Sequence, residues 1–127
     1  MDAIYFDKKN LEGKVLKGFK AHSDSLILYV GDSTISFYHD QECCEEVIFH
    51  NYEQFSEKLE TLVGEKISSF TCKVEQGKDY SKKVKGENSD HVTETLLTFV
   101  LDKKKVKAVW LGMSNGYYDD NVQVSIY

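Results

Sequence analysis

The chain has 127 residues, a formal net charge of −5 and a hydrophobic fraction of 41%, with seven Phe and eight Tyr. This length suits a single domain, and the aromatic content is enough to fill one hydrophobic core without metals or disulfides. All 16 basic residues are lysines. The absence of the arginine fork, which pairs with phosphates and guanine edges through two hydrogen bonds, disfavours a protein that binds specific nucleic-acid sequences.

Cysteine usage and hydropathy indicate a protein of a reducing compartment. Cys43, Cys44 and Cys72 form an odd set with two adjacent members, which does not suit a disulfide framework. Residues 1–14 have no apolar signal region, and no window approaches the roughly 18 apolar residues that span a bilayer. We therefore expect a cytoplasmic protein that has no contact with a membrane.

The first half of the chain predicts four short strands. Val15–Phe19 and Ser25–Val30 are apolar runs, and the Gly31-Asp32 turn leads into Thr34–His39, which alternates apolar and polar residues. Cys44–His50 contains the next β-forming residues. A hairpin is the simplest connection across Gly31-Asp32.

Between residues 51 and 63 the hydrophobic period changes to that of a helix, because Phe55, Leu59 and Leu62 recur at helical spacing. Asn51 can cap the first turn through its side chain, and Gly64 can end the helix. This segment is predicted to be the helix of the fold.

The second half predicts further strands. Ile67–Val74 alternates so that Ile67 and Phe70 would lie on opposite faces, and His91–Leu101 and Lys104–Leu111 form a hairpin around Asp102-Lys103. Tyr117–Tyr127 ends on alternating residues. The predicted fold class is α+β, mainly antiparallel β with about seven strands, barrel-like or sandwich-like, and one short helix in a single domain of residues 1–127.

Two segments between these elements are predicted to be loops. Gln76–Asp90 is polar and long for a connection in a compact domain, so residues 76–90 are expected to be a flexible loop that tolerates shortening. Gly112–Gly116 is expected to form a compact loop. The lysines at 82–85 and 103–107 are interpreted as solvated turns.

The segment from His39 to Glu45 combines His, Cys and Glu. His50 and Cys72 could complete a metal site with His39, or one of the adjacent cysteines could act as a nucleophile beside it. However, adjacent cysteines on an extended chain point to opposite sides, the spacing matches no standard zinc pattern, and nearby carboxylates disfavour a thiolate. We therefore predict no metal, no cofactor and no catalytic residue, with buried thiols as the simpler interpretation.

The segment from Trp110 to Asp119 combines aromatic rings with small polar side chains around Asn115-Gly116. It could be only a tight turn, since Asn-Gly suits positive φ angles. Alternatively, such a mixture suits stacking on a flat ligand beside adaptable hydrogen-bonding groups. If the strands after Cys44 and before Gly112 lie in one sheet, this segment and His39 come together. The predicted ligand-binding residues are His39, Trp110, Ser114, Asn115, Tyr117 and Tyr118.

Three pieces of the chain carry a resemblance, namely Tyr38–Glu45, Leu62–Ile67 and Trp110–Tyr118. They resemble a family of small proteins of unknown function, many of them encoded by bacteriophages and prophages. They are similar to the family pattern H-x-Q-D-C-C-E, then L-I-G-x-P-I, then W-x-G-x-S-N-G-Y-Y. The sequence differs where the family has Asp, Pro and Arg, at Glu42, Lys66 and Val109.

The resemblance implies a phage product that acts in the host bacterial cell. Because no catalytic constellation is evident, the leading hypothesis is a non-enzymatic accessory protein that sequesters a small nucleotide-like defence signal. The alternative is an inhibitor that binds a host protein through an acidic, tyrosine-rich surface, and a Cys/His metal or thiol site is a second alternative. A homo-oligomer is compatible with each hypothesis.

Overall fold

The computed structural model describes residues 8–40, 45–76, 91–114 and 122–126. This part of the chain forms eight strands, one α-helix and a short 3₁₀-helix at Lys8–Asn10. The elements are β1 (Leu16–His22), β2 (Ser25–Val30), β3 (Ser33–Tyr38), β4 (Glu46–Phe49), α1 (Tyr52–Glu60), β5 (Ile67–Gln76), β6 (His91–Leu101), β7 (Lys104–Ser114) and β8 (Gln123–Ile126). Within it, no helix is long and apolar enough to cross a membrane.

The first sheet has the strand order β1-β2-β3-β8, and all of its neighbours are antiparallel. The predicted hairpin across Gly31-Asp32 is present, because Val30 pairs with Ser33 and Gly31 has a φ of 54°. Such a left-handed conformation suits glycine in a two-residue turn.

The second sheet has the strand order β4-β7-β6-β5, again antiparallel. The predicted hairpin of β6 and β7 is present, and its turn residues Asp102 and Lys103 have φ angles of 49° and 62°. The prediction that a loop begins at Gly112 is wrong. Gly112 continues β7 because it pairs with Val47 of β4 and Thr93 of β6.

The two sheets pack face to face, so the sandwich alternative of the predicted fold is the correct one. Large side chains from both inner faces meet in one core. The ring centroid of Phe37 in the first sheet lies 6.1 Å from that of Phe70 and 6.2 Å from that of Phe99 in the second sheet. A second, smaller buried cluster of Val92, Leu111 and Met113 lies on the other face of the second sheet. The main core therefore fixes how the two sheets stack.

The helix α1 is present at the predicted place, but Asn51 does not cap it. The side chain of Asn51 makes no capping hydrogen bond. Its Nδ2 donates to the carbonyl of Lys107 at 2.8 Å, and its Oδ1 accepts from the amide of Val109 at 2.8 Å. Asn51 therefore uses its side-chain amide to pair with β7, as the backbone of a strand residue would.

The strand β5 departs from the predicted alternation at its start. The pairing register with β6 shifts between Ile67 and Ser69, so a bulge adds one residue on β5. As a result, Ile67 and Phe70 are both buried, at 1% and 2% exposure. The prediction that they face opposite sides is wrong, because a bulge is set by packing and not by residue alternation.

Candidate binding site

A buried hydrogen bond connects the two sheets at one end of the sandwich. The Nε2 atom of His39 lies 2.9 Å from Oε2 of Glu45, and their side chains are 3% and 0% exposed. His39 directly follows β3 of the first sheet, and Glu45 directly precedes β4 of the second sheet. The pair therefore spans the connection between the sheets.

Strand alternation explains why both side chains are buried. His39 continues the inward-facing series of Ile35 and Phe37 in β3, and Glu45 precedes the inward-facing Val47 and Phe49 in β4. Each polar residue thus occupies the next inward position at the end of an apolar strand face.

Trp110 lies on the inner face of the second sheet, between Phe49 of β4 and Thr95 of β6. It is 1% exposed, and its ring stacks on Phe49 with a centroid distance of 4.8 Å and an interplanar angle of 16°. Among the described residues, its Nε1 is the buried side-chain nitrogen that has no hydrogen-bond acceptor. Leaving a buried N–H donor unsatisfied costs about 1–3 kcal/mol, so this atom requires an explanation.

Two buried threonines belong to the same part of the inner face. Thr93 pairs with Gly112, and Thr95 pairs with Trp110; their exposures are 0% and 1%. We call His39, Glu45, Thr93, Thr95 and Trp110 the polar end. In the described part of the chain, the buried residues with polar or charged side chains are Glu45, Thr93 and Thr95. The remainder of the core is apolar.

The predicted site residues did not include Glu45, Thr93 or Thr95. A signal for Glu45 was present, because it has the same parity as Val47 and Phe49, so an inward carboxylate follows from alternation. The signal for the threonines was weaker, since Thr is common on both faces of a strand. Pairing with β7 decides which face they occupy.

The other predicted site residues lie at the end of β7 or beyond it. Ser114 is the last residue of β7, and its backbone pairs with His91. The predicted residues Asn115, Tyr117 and Tyr118 lie outside the described residues. The condition set for a shared site, that the strands after Cys44 and before Gly112 lie in one sheet, is met, because β4 and β7 are adjacent. The start of β4 and the end of β7 therefore lie side by side, since Glu46 pairs with Met113.

The alternative metal or thiol site receives no set of ligands from the described residues. His50 is exposed, Cys72 is half-buried in β5, and Cys43 and Cys44 lie outside the described residues. In the part of the chain with described side chains, there is no group of three or more His, Cys, Asp or Glu that could hold a metal ion.

The polar end contains one donor that lacks an acceptor among the described residues, the indole N–H of Trp110. The carboxylate of Glu45 and the ring of His39 already bond each other, and both side chains are almost completely buried. The core behind these groups is apolar and aromatic. A single directed donor beside aromatic side chains suits an acceptor atom on a small, mostly flat molecule.

A family model described as a domain of unknown function (DUF7448) matches residues 9–124 of the chain. The match includes every residue of the polar end. No curated protein and no solved structure shows significant similarity to the chain.

Proposed function

Since the chain belongs to the DUF7448 family, whose function is unknown, we propose its function from the geometry of the polar end. The protein is a non-enzymatic binding protein that captures a small, nucleotide-like ligand. The observation that carries this proposal is the buried Nε1 of Trp110, for which the described residues supply no acceptor.

A ligand carbonyl or ring nitrogen would satisfy this N–H. Nucleobases and related heterocycles carry such acceptors on a flat edge and present donors beside them. The Trp110–Tyr118 segment, with its Ser114, Asn115, Tyr117 and Tyr118, would supply the stacking and hydrogen-bonding groups around the ligand.

The proposal also includes a cellular role for the protein. The three segments that resemble phage and prophage proteins support a role as a phage accessory protein in the cytoplasm of a host cell. In that setting a nucleotide-like ligand would be a defence signal, and its sequestration would counteract the host. Binding without turnover would be sufficient for this role.

Native mass spectrometry of the protein purified from cells that carry phage-defence systems tests the proposal. We expect a bound metabolite of nucleotide-like mass, and we expect that the same compound raises the melting temperature of the ligand-free protein. If a second protein co-purifies with the chain and no metabolite is bound, the result would instead favour the alternative hypothesis of an inhibitor that binds a host protein. The binding function would be refuted if the purified protein carries no metabolite and no tested nucleotide raises its melting temperature.

A pair of matched variants locates the site. Trp110→Phe keeps an aromatic ring beside Phe49 but removes the Nε1 donor, so the ligand-induced rise in melting temperature should be lost. Tyr38→Phe is the control, because it removes a hydroxyl from the first sheet, away from Trp110 in the second. That hydroxyl lies 2.7 Å from Oγ of Ser125, which belongs to the first sheet as well. The control should bind the ligand as the natural chain does. Equal binding by both variants would place the site elsewhere.

A further inference from the structure

A lysine-lined groove runs between α1 and the start of β7, away from the polar end. It has a volume of about 490 Å³ and is lined by Glu57, Lys58, Thr61, Leu62, Lys104, Lys105 and Val106. A smaller adjoining groove of about 250 Å³ shares Lys58, Lys105 and Val106 and adds Lys107. We call the two together the lysine groove. Four lysines and one glutamate line it, so its charge is positive although the chain as a whole carries −5.

The groove exists because β4 is much shorter than β7. The four residues of β4 pair only with Trp110–Met113, which leaves the first part of β7 without a strand on that side. The side chain of Asn51 and the amide of His50 cover the next backbone groups, at Lys107 and Val109. Strand coverage of this edge therefore ends at Lys107.

The remaining edge presents unpaired backbone groups. In an antiparallel strand, the N–H and C=O groups of alternate residues point to the same side. The N–H and C=O groups of Val109 and the C=O group of Lys107 point away from β6, toward Asn51 and His50. By the same alternation, the N–H and C=O groups of Lys105 and the N–H group of Lys107 also point away from β6. In the described structure, none of these three groups has a protein hydrogen-bond partner.

We propose that the lysine groove docks an extended, acidic peptide segment of a partner protein as an added strand beside Lys105–Lys107. The three backbone groups supply the donor, acceptor, donor pattern that an added strand needs. The four lysines supply charge complementarity, which speeds association and selects acidic partners. A free anion would use the lysines and the N–H groups, but it would leave the carbonyl of Lys105 without a donor.

Fluorescence anisotropy with a labelled peptide of alternating Val and Glu tests this docking. We expect saturable binding at low salt that weakens as the ionic strength rises. A Val–Lys peptide of the same length should not bind. The same Val–Glu peptide with alternate amides N-methylated should bind about tenfold more weakly, since it keeps the charge and loses the strand pairing.

Charge-reversed variants of the protein provide the matched controls. Lys105→Glu with Lys107→Glu should weaken binding at least about tenfold, whereas Lys17→Glu with Lys20→Glu, on exposed positions of β1, should leave it within about twofold. Lys105→Pro should bind more weakly than Lys105→Ala, because only proline removes the N–H.

Three results would overturn the proposal. One is the absence of binding by the Val–Glu peptide. Another is equal binding by the N-methylated peptide, which would indicate a simple anion site. The third is dimerisation that blocks the groove, detected by sedimentation at the concentrations of the assay.

Discussion

The 2.9 Å contact between His39 Nε2 and Glu45 Oε2 joins the end of β3 to the residue before β4. Both side chains are almost completely inaccessible to solvent, at 3% and 0% exposure. The bond therefore fixes, inside the core, the point at which the chain passes from one sheet to the other.

Removing one partner of this pair should destabilise the fold. Glu45→Ala takes away the carboxylate that bonds His39 and is expected to cost about 1–3 kcal/mol, the cost of a lost buried hydrogen bond, because the remaining imidazole can be neutral. The double variant His39→Phe with Glu45→Leu should cost less, because it removes both polar groups together. Urea unfolding measures both, and Glu46→Ala at the exposed neighbouring position is the control. A loss below about 1 kcal/mol for Glu45→Ala would show that water reaches the pair.

The role of Asn51 as a pairing residue for β7 predicts an unusual substitution pattern. Asn51→Ser retains a good helix-capping side chain but cannot reach both Lys107 and Val109, so it should destabilise by about 1–3 kcal/mol, and Asn51→Ala should do the same. Asn51→Asp places a carboxylate oxygen against the carbonyl of Lys107 and should also destabilise. Chemical denaturation checks the series. If Asn51→Ser were as stable as the natural chain, capping would be its main contribution.

Trp110 should contribute strongly to stability through its ring. Trp110→Ala removes a fully buried indole stacked on Phe49 and should cost about 3–5 kcal/mol in unfolding free energy. Trp110→Phe should cost clearly less, because a ring remains against Phe49 and the removed N–H has no acceptor among the described residues. Ile126→Ala, at 40% exposure in β8, is the control for apolar truncation. Equal losses for Ala and Phe would mean that the N–H has an acceptor in the folded protein.

The turn between β6 and β7 should be improved by glycine at one position. Lys103 has a φ of 62°, which strains a residue with a β-carbon, so Lys103→Gly should stabilise the protein by about 1 kcal/mol. Lys104→Gly, one residue later in β7, should destabilise it by a similar amount. Thermal unfolding of the two variants at equal concentration measures the opposite signs. Two shifts of the same sign would contradict the turn geometry.

The sequence predicts the local elements well, because their signals are local. The turns at Gly31-Asp32 and Asp102-Lys103 lie where two strand-forming runs meet, and α1 lies where the hydrophobic period changes. The sheet order does not follow from these signals. The placement of β4 beside β7, 55 or more residues apart in sequence, depends on packing across the whole core.

The candidate site was predicted only in part. His39 and Trp110 are brought to inner faces of the sandwich, as a shared site requires, but the partner of His39 is Glu45, which was not among the predicted site residues. The unsatisfied Nε1 of Trp110 depends on which groups surround one atom. Such an environment follows from tertiary packing and has no sequence pattern.

The two residues between β4 and α1, His50 and Asn51, both make hydrogen bonds to β7. The amide of His50 bonds to Val109, the side chain of Asn51 spans Lys107 and Val109, and α1 begins at Tyr52. One inserted residue before Tyr52 would rotate the helix by about 100° relative to β7 and turn Phe55 out of the core. The chain length between Phe49 and Tyr52 is therefore fixed, and an insertion scan should find this junction intolerant.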